Sequence, residues 1–209
     1  KLDNGQSHSN VYHWIITRNH AASTGAVPST IKLIHEGAYN SAANSSAIRD
    51  TVKVYLRHST SPFAIVDSAT STLDSLLHSG SFLFANATDG TYYLQVMHRN
   101  SLETWSRSGS EAFVAGKPFN FDFTSSSSQA YMNNLKQIDN SPVRFALFSG
   151  DVNQDGIIDA SDQSAIDNAA ALFTSGYVNT DLNGDYIVDG TDLLIASNNA
   201  AEFRMAERP

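Results

Sequence analysis

The chain has 209 residues, 16% of them charged, with 13 Lys and Arg against 21 Asp and Glu. It has no cysteine, which excludes disulfides and thiolate chemistry, and no apolar run of about eighteen residues to cross a membrane as a helix. The charge is uneven: residues 151–209 carry 11 acids and 2 bases, residues 1–150 carry 10 acids and 11 bases, and no clustered basic surface points to nucleic acid.

Residues 1–30 read as a polar N-terminal extension broken by one β-prone patch, Val11 to Thr17, with Gly25 and Pro28 behind it. His8, His13 and His20 place no two imidazoles one helical turn apart, so they read as solvated. The patch is either an edge strand of its own domain or a strand that fills the sheet edge of a neighbouring copy. The second choice is heterologous and would propagate into an open filament.

Residues 31–148 carry the signals of short strands. Ile31 to His35 begins the series, and Thr51 to Arg57 alternates with Val52, Val54 and Leu56 inward. Ser81 to Phe84 and Thr91 to Met97 follow, separated by the turn Asn86-Ala87-Thr88-Asp89-Gly90. Phe119, Phe121 and Phe123 share one face of a further strand, and Val143 to Phe148 alternates like a last one. Without a convincing amphipathic helix between them, these strands predict a β-sandwich with an aromatic core. The block Tyr92 to Ser106 resembles one found in Ig-like or transthyretin-like β-domains of bacterial surface proteins. That resemblance implies a fold and a setting, and no chemistry.

Residues 149–209 repeat one pattern at an interval of thirty residues. Asp151-Val152-Asn153-Gln154-Asp155-Gly156-Ile157-Ile158-Asp159-Ala160-Ser161-Asp162 is matched by Asp181-Leu182-Asn183-Gly184-Asp185-Tyr186-Ile187-Val188-Asp189-Gly190-Thr191-Asp192. Side-chain oxygens fall at loop positions 1, 3, 5, 9 and 12: Asp151, Asn153, Asp155, Asp159 and Asp162, then Asp181, Asn183, Asp185, Asp189 and Asp192. Position 7, Ile157 or Ile187, offers its backbone carbonyl. This is the spacing of a twelve-residue calcium loop, so two Ca²⁺ ions are the expected cofactors. Position 12 is Asp rather than Glu in both copies. Position 6 is Gly156 in the first loop but Tyr186 in the second, where the sharp turn favours glycine, so the second loop is expected to be strained.

A helix should follow each loop, over about 161–173 and 191–203, capped by Ser161 and Thr191. The first should line up Ile166, Ala169, Ala170 and Phe173, and the second Ala196, Ala200 and Phe203, with Leu193 and Leu194 added. Asn199 stands where Ala169 stands in the first copy, a polar intrusion into that stripe. Ile158 and Val188 are expected to pair with each other in a short bridge.

Gly150 to Gly156, one helix per loop, the missing entering helix and a second unit soon after resemble a dockerin. The resemblance covers about the last sixty residues. It implies a duplicated loop–helix calcium module that binds a cohesin domain through positions 10 and 11, here Ala160, Ser161, Gly190 and Thr191.

No G-x-S-x-G, H-E-x-x-H or phosphate loop is present, and the carboxylates of residues 1–150 are scattered, so no enzyme is expected. The expected architecture is mainly β with a small α module: a sandwich over 31–148, then a dockerin-like calcium pair over 149–209. The expected role is attachment or assembly outside the cell or at its surface, to a cohesin-like partner or another copy. A carbohydrate-binding module is the alternative, with Trp14, Trp105 and tyrosines as a sugar platform. Millimolar external calcium would saturate even weak loops and take the place of disulfides.

Overall fold

The computed structural model describes residues 28–209. The β-prone patch Val11 to Thr17, with Trp14, His8, His13 and His20, lies outside the described residues. In chain order the strands are β1 (Pro28–Lys32), β2 (Tyr39–Asn40), β3 (Ser45–Ser46), β4 (Thr51–His58), β5 (Ile65–Thr72), β6 (Ser79–Leu83), β7 (Gly90–Met97), β8 (Thr104–Trp105), β9 (Glu111–Phe113), β10 (Asn120–Asp122), β11 (Lys136–Asn140) and β12 (Val143–Ala146). Two helices follow, α1 (Ala160–Ala171) and α2 (Gly190–Ala201).

The larger sheet runs β5-β4-β7-β8, with β9 also on β7. The smaller places β1 between antiparallel β6 and parallel β10. Alternation drives the packing as expected: Val52, Val54 and Leu56 point inward from β4, while the residues between them face out. Across the gap they meet Ile31, Phe82, Phe84, Phe121 and Phe123, and Leu94 and Val96 from the central β7 close one continuous core.

Several elements differ from expectation. The first strand starts at Pro28 rather than Ile31 and ends at Lys32, and His35 forms an isolated parallel bridge with Leu147. Strand β5 was not anticipated because Ile65 to Thr72 is polar; as an edge strand it buries only Asp67 and Ala69 deeply. Strand β11 was likewise hidden; it pairs with the expected strand at Val143, β12, with a register shift between Gln137 and Asp139.

Both helices form, each ending two residues before its predicted limit. Their N-caps are Asp159 and Asp189 rather than Ser161 and Thr191, because the last extended residue before each helix is the aspartate. Each takes part in a capping box with Asp162 or Asp192 three residues on. Ile166 and Ala196 are buried as expected, but Phe173 and Phe203 are 90% and 83% exposed. Each follows its helix with a left-handed φ, 53° and 54°, which turns the ring out of the stripe. Leu194 is exposed as well.

The expected bridge between Ile158 and Val188 does not form. Ile157 pairs instead with Met205, and Ile187 with Ser175. The amide of Ile158 donates to Arg204 O, and that of Val188 to Thr174 O. Each loop is thus closed by the segment leaving the other copy's helix, which ties the two copies together around their pseudo-twofold.

Candidate functional site

The two loops have nearly the same internal wiring. In each, the position-12 carboxylate is fully buried and gathers amides: Asp162 accepts from Val152, Asn153 and Asp159 at 2.9, 3.2 and 3.0 Å, and Asp192 from Leu182, Asn183 and Asp189 at 2.7, 3.1 and 3.0 Å. The position-3 asparagines donate to the position-5 aspartates at 2.9 and 3.0 Å. The Ser161 hydroxyl donates to Asp159 at 2.7 Å and accepts from Asn153 at 2.9 Å, and Thr191 repeats this with Asp189 and Asn183 at 2.7 and 3.0 Å. These hydroxyls belong to the loops rather than projecting freely. Ala160 and Gly190 are exposed.

The copies differ at position 1. Both Asp181 oxygens accept amides, from Gly184 at 2.8 Å and Tyr186 at 3.3 Å. Asp151 accepts one, from Gly156 at 3.2 Å, and its Oδ1 is buried with no hydrogen-bond partner. Burial first, then the charge of Asp162, push the Asp151 carboxyl up to about 7. Burial also raises Asp162 and Asp181. Hydrogen bonds from Ser161 and Thr191 hold Asp159 and Asp189 below the usual range. An orphaned anionic oxygen amid an oxygen-rich donor set fits a hard cation. Among the described residues, no three acidic or histidine side chains converge by themselves on one point, so any coordination sphere draws on asparagine and backbone oxygens too. Tyr186 has φ 69°, the left-handed strain expected where Gly156 (φ 89°) stands in the first copy.

The loops are seated on the sandwich through contacts that the sequence does not announce. Asn100 donates to Asp181 O at 2.8 Å and accepts from the Gly150 amide at 2.7 Å, so one residue holds the start of both units. Arg99 donates to Asp181 O at 2.9 Å and to Val178 O, lies over the Tyr177 ring, and pairs with the buried Asp50 at 3.0 Å. Tyr177 donates to the other oxygen of Asp50. Gly37 and Gly184 allow the backbones to approach: a Cβ on Gly37 would lie 2.4 Å from Leu182 O, and one on Gly184 2.6 Å from Ile48. Phe148, Leu102 and Ile158 form a small core at the seam, and the α2 residue Asn199 reaches Glu36, Lys136 and Ser149 O.

Behind Asp50 lies a buried relay. His98 Nε2 is 3.0 Å from Asp50, while Ser101 Oγ is 3.0 Å from Nδ1 of both His98 and His35, whose rings stack at 3.5 Å. The residue types are those of a nucleophilic triad, yet Ser101 is fully buried, and burial lowers the pKa of both imidazoles. The relay fixes Asp50, which fixes Arg99. Three separate stretches of sequence meet here, at His35, at Asp50 and at His98 to Ser101.

Trp105 is 4% exposed, packed edge-on against Tyr93 and Phe63, with its indole donating to Glu103. It offers no sugar platform. On the C-terminal unit a groove of about 480 Å³ runs between Ile157, Ala160, Ala201, Phe203 and Met205. Ile187 from the second copy and Phe173 from the first are the pseudo-equivalents of Ile157 and Phe203, and are exposed too.

No protein-family model and no curated protein matches the chain. Among solved structures, a chain from a C-terminal interface mutant of the type II cohesin-X-dockerin complex of Acetivibrio cellulolyticus is similar, with 16% identity, TM-score 0.50, and 85% of this chain and 99% of that one covered. An N-terminal interface mutant of the same complex aligns over the same shares at 18% identity and TM-score 0.46. The fold is therefore a mainly β one of that kind, carrying two helices. Among the described residues no helix is long and apolar enough to cross a membrane.

Proposed function

We propose that the chain is a secreted, non-catalytic attachment unit whose residues 149–209 form a dockerin-like module holding two Ca²⁺ ions. Asp151, Asn153, Asp155, the Ile157 carbonyl, Asp159 and Asp162 would hold one ion. Asp181, Asn183, Asp185, the Ile187 carbonyl, Asp189 and Asp192 would hold the other. When bound, the ions supply charge neutralisation and fix the loops. The observation that carries the reading is the two-fold repetition of the same oxygen set on the same loop–helix frame, with a buried Asp151 oxygen that no donor satisfies.

Two further observations support a protein partner. Phe173 and Phe203 stand exposed at matching positions just past the helix ends, and such aromatic pairs are costly to leave in water. The match to the cohesin-X-dockerin complex spans 85% of this chain, more than residues 1–148 alone could supply. A cohesin is the partner class that this reading implies, and another copy of the chain is the alternative occupant.

Calorimetry on the chelator-stripped chain should give two calcium-binding events, and none would refute the cation reading. Separately, the calcium-loaded chain is titrated with an isolated type II cohesin and with an isolated X-dockerin, each with and without EDTA. Calcium-dependent binding to the cohesin is expected. Binding to the X-dockerin instead would reverse the assignment, making the sandwich the receptor. Light scattering of the full chain at high concentration with calcium reads self-association.

A further inference from the structure

The polar intrusion at Asn199 is part of a built site. Its side chain is fully buried on α2, where the first copy has Ala169. The amide oxygen accepts from Lys136 Nζ at 2.9 Å, and the amide nitrogen donates to Glu36 Oε2 at 2.6 Å and to Ser149 O at 2.7 Å. Lys136 Nζ also donates to Glu36 Oε1 at 2.6 Å. One carboxylate therefore touches a primary amine through one oxygen and a carboxamide nitrogen through the other, while the amine touches the carbonyl of that carboxamide. The lysine side chain is 26% exposed and that of Glu36 12%.

A hydrogen-bonded lysine and carboxylate alone would be an ordinary ion pair. What sets this cluster apart is that its third member is an acylating group, with its carbonyl on the nucleophile side and its leaving nitrogen on the acid side. The three come from a turn after β1, from β11 and from α2, and a backbone hydrogen bond from Glu36 to Leu147 O at 3.1 Å helps fix the carboxylate. Fixing reactants in this way replaces a bimolecular encounter by a local one.

We propose that Lys136 and Asn199 condense into an intramolecular isopeptide bond, with Glu36 as the catalytic carboxylate. Glu36 Oε1 takes one proton from the Lys136 ammonium, leaving a neutral amine. The amine lone pair attacks Asn199 Cγ, forming the C–N bond and a tetrahedral centre. Glu36 then delivers its proton through Oε2 to the amide nitrogen, the Cγ–Nδ2 bond breaks and ammonia departs. The attacking nitrogen loses its surplus proton, so the balance is one lysine ammonium and one carboxamide giving one secondary amide and one ammonium ion. No oxidant, metal or nucleotide is consumed. The bond would staple α2 to the sandwich in a chain that has no cysteine to do so.

The test is intact mass of the purified full-length chain under denaturing conditions, followed by tryptic mapping. The expected mass is lower than that of the sequence by one ammonia, with a branched peptide joining the Lys136 and Asn199 segments. Glu36→Gln and Lys136→Arg should each restore the full mass, with circular dichroism confirming that the variants fold. The wild-type measurement decides the matter even if a variant fails to fold. A wild-type chain of full mass overturns the proposal. So does an ammonia loss without the branched peptide, which would signify cyclisation of an asparagine on its own backbone.

Discussion

Cation binding at the first loop should be coupled to a proton, and the coupling can be worked out from Asp151. Its carboxyl is raised to about 7 by burial and by the charge of Asp162, while a calcium ion takes the carboxylate form. Below that pH, each ion entering this loop displaces up to one proton. Affinity should then fall by up to about tenfold for each unit of pH, equivalent to about 1.4 kcal/mol. From pH 7, where the carboxyl is already about half protonated, to pH 5 the expected weakening is therefore about fiftyfold. At the second loop the Arg99 charge opposes the rise at Asp181, so a shallower dependence is expected there. Without calcium the sign reverses. A carboxyl raised in the folded state contributes stability that is present below its unfolded pKa and lost as pH climbs through about 7. In chelator the melting temperature should fall between pH 5 and pH 8, and calcium should restore it. Titration calorimetry at pH 6 in two buffers of different ionisation enthalpy counts the released protons. Equal heats in both buffers, with an affinity indifferent to pH, would refute the coupling.

Other outcomes follow from the seam and the loops. Gly37→Ala drives a methyl into Leu182 O and should cost about 1–3 kcal/mol in chemical denaturation; an unchanged midpoint would mean that the seam yields freely. His35 should stay neutral well below 6.5, the usual histidine value, and His98 should titrate below that value, so an ordinary titration of either ring in NMR would contradict its burial. Tyr186→Gly relieves a left-handed residue and should preserve or strengthen cation binding in the second loop, by up to about 1 kcal/mol. Asp162→Ala strips the acceptor from three amides and should abolish binding in the first loop. Weaker binding by Tyr186→Gly would show that the ring holds its loop by packing.

The legible parts of this chain were those with a local period. Alternation in Thr51 to Arg57 and the three phenylalanines from Phe119 to Phe123 marked strands, since a buried face repeats every second residue. The loop repeat was legible because metal-ligand spacing is a property of sequence alone. The polar edge strand β5 and the hairpin strand β11 were not, because pairing rather than apolar content makes them strands. Phe173 and Phe203 misled: they continue the helical period, but each helix stops two residues earlier and the backbone turns left-handed. Asp50, His98, Ser101 and His35, and likewise Glu36, Lys136 and Asn199, meet only after the chain has folded. The single trace of the second group was that Asn199 breaks a stripe kept by Ala169.

If both the calcium reading and the isopeptide proposal hold, one must precede the other. Asn199 approaches Lys136 and Glu36 only when α2 lies against the sandwich, and α2 is held there by the second loop, through Arg99 and Asn100 on Asp181 O and through Gly37 beneath Leu182. The helix starts at the same carboxylates that belong to the loop, Asp189 as cap and Asp192 in the capping box. An ion that orders this loop therefore orders the frame that presents the amide. Refolding the denatured Glu36→Gln chain cannot report on this, since it lacks the proton shuttle, so the measurement needs newly made wild-type protein. Synthesis in a cell-free system with calcium, and in parallel with chelator, should give a high fraction of ammonia-depleted chain in the first case and a low one in the second. Adding calcium to the second sample should then convert it with time. Equal fractions in both would show that α2 docks without the ion, and would leave the cation a role at the partner surface alone.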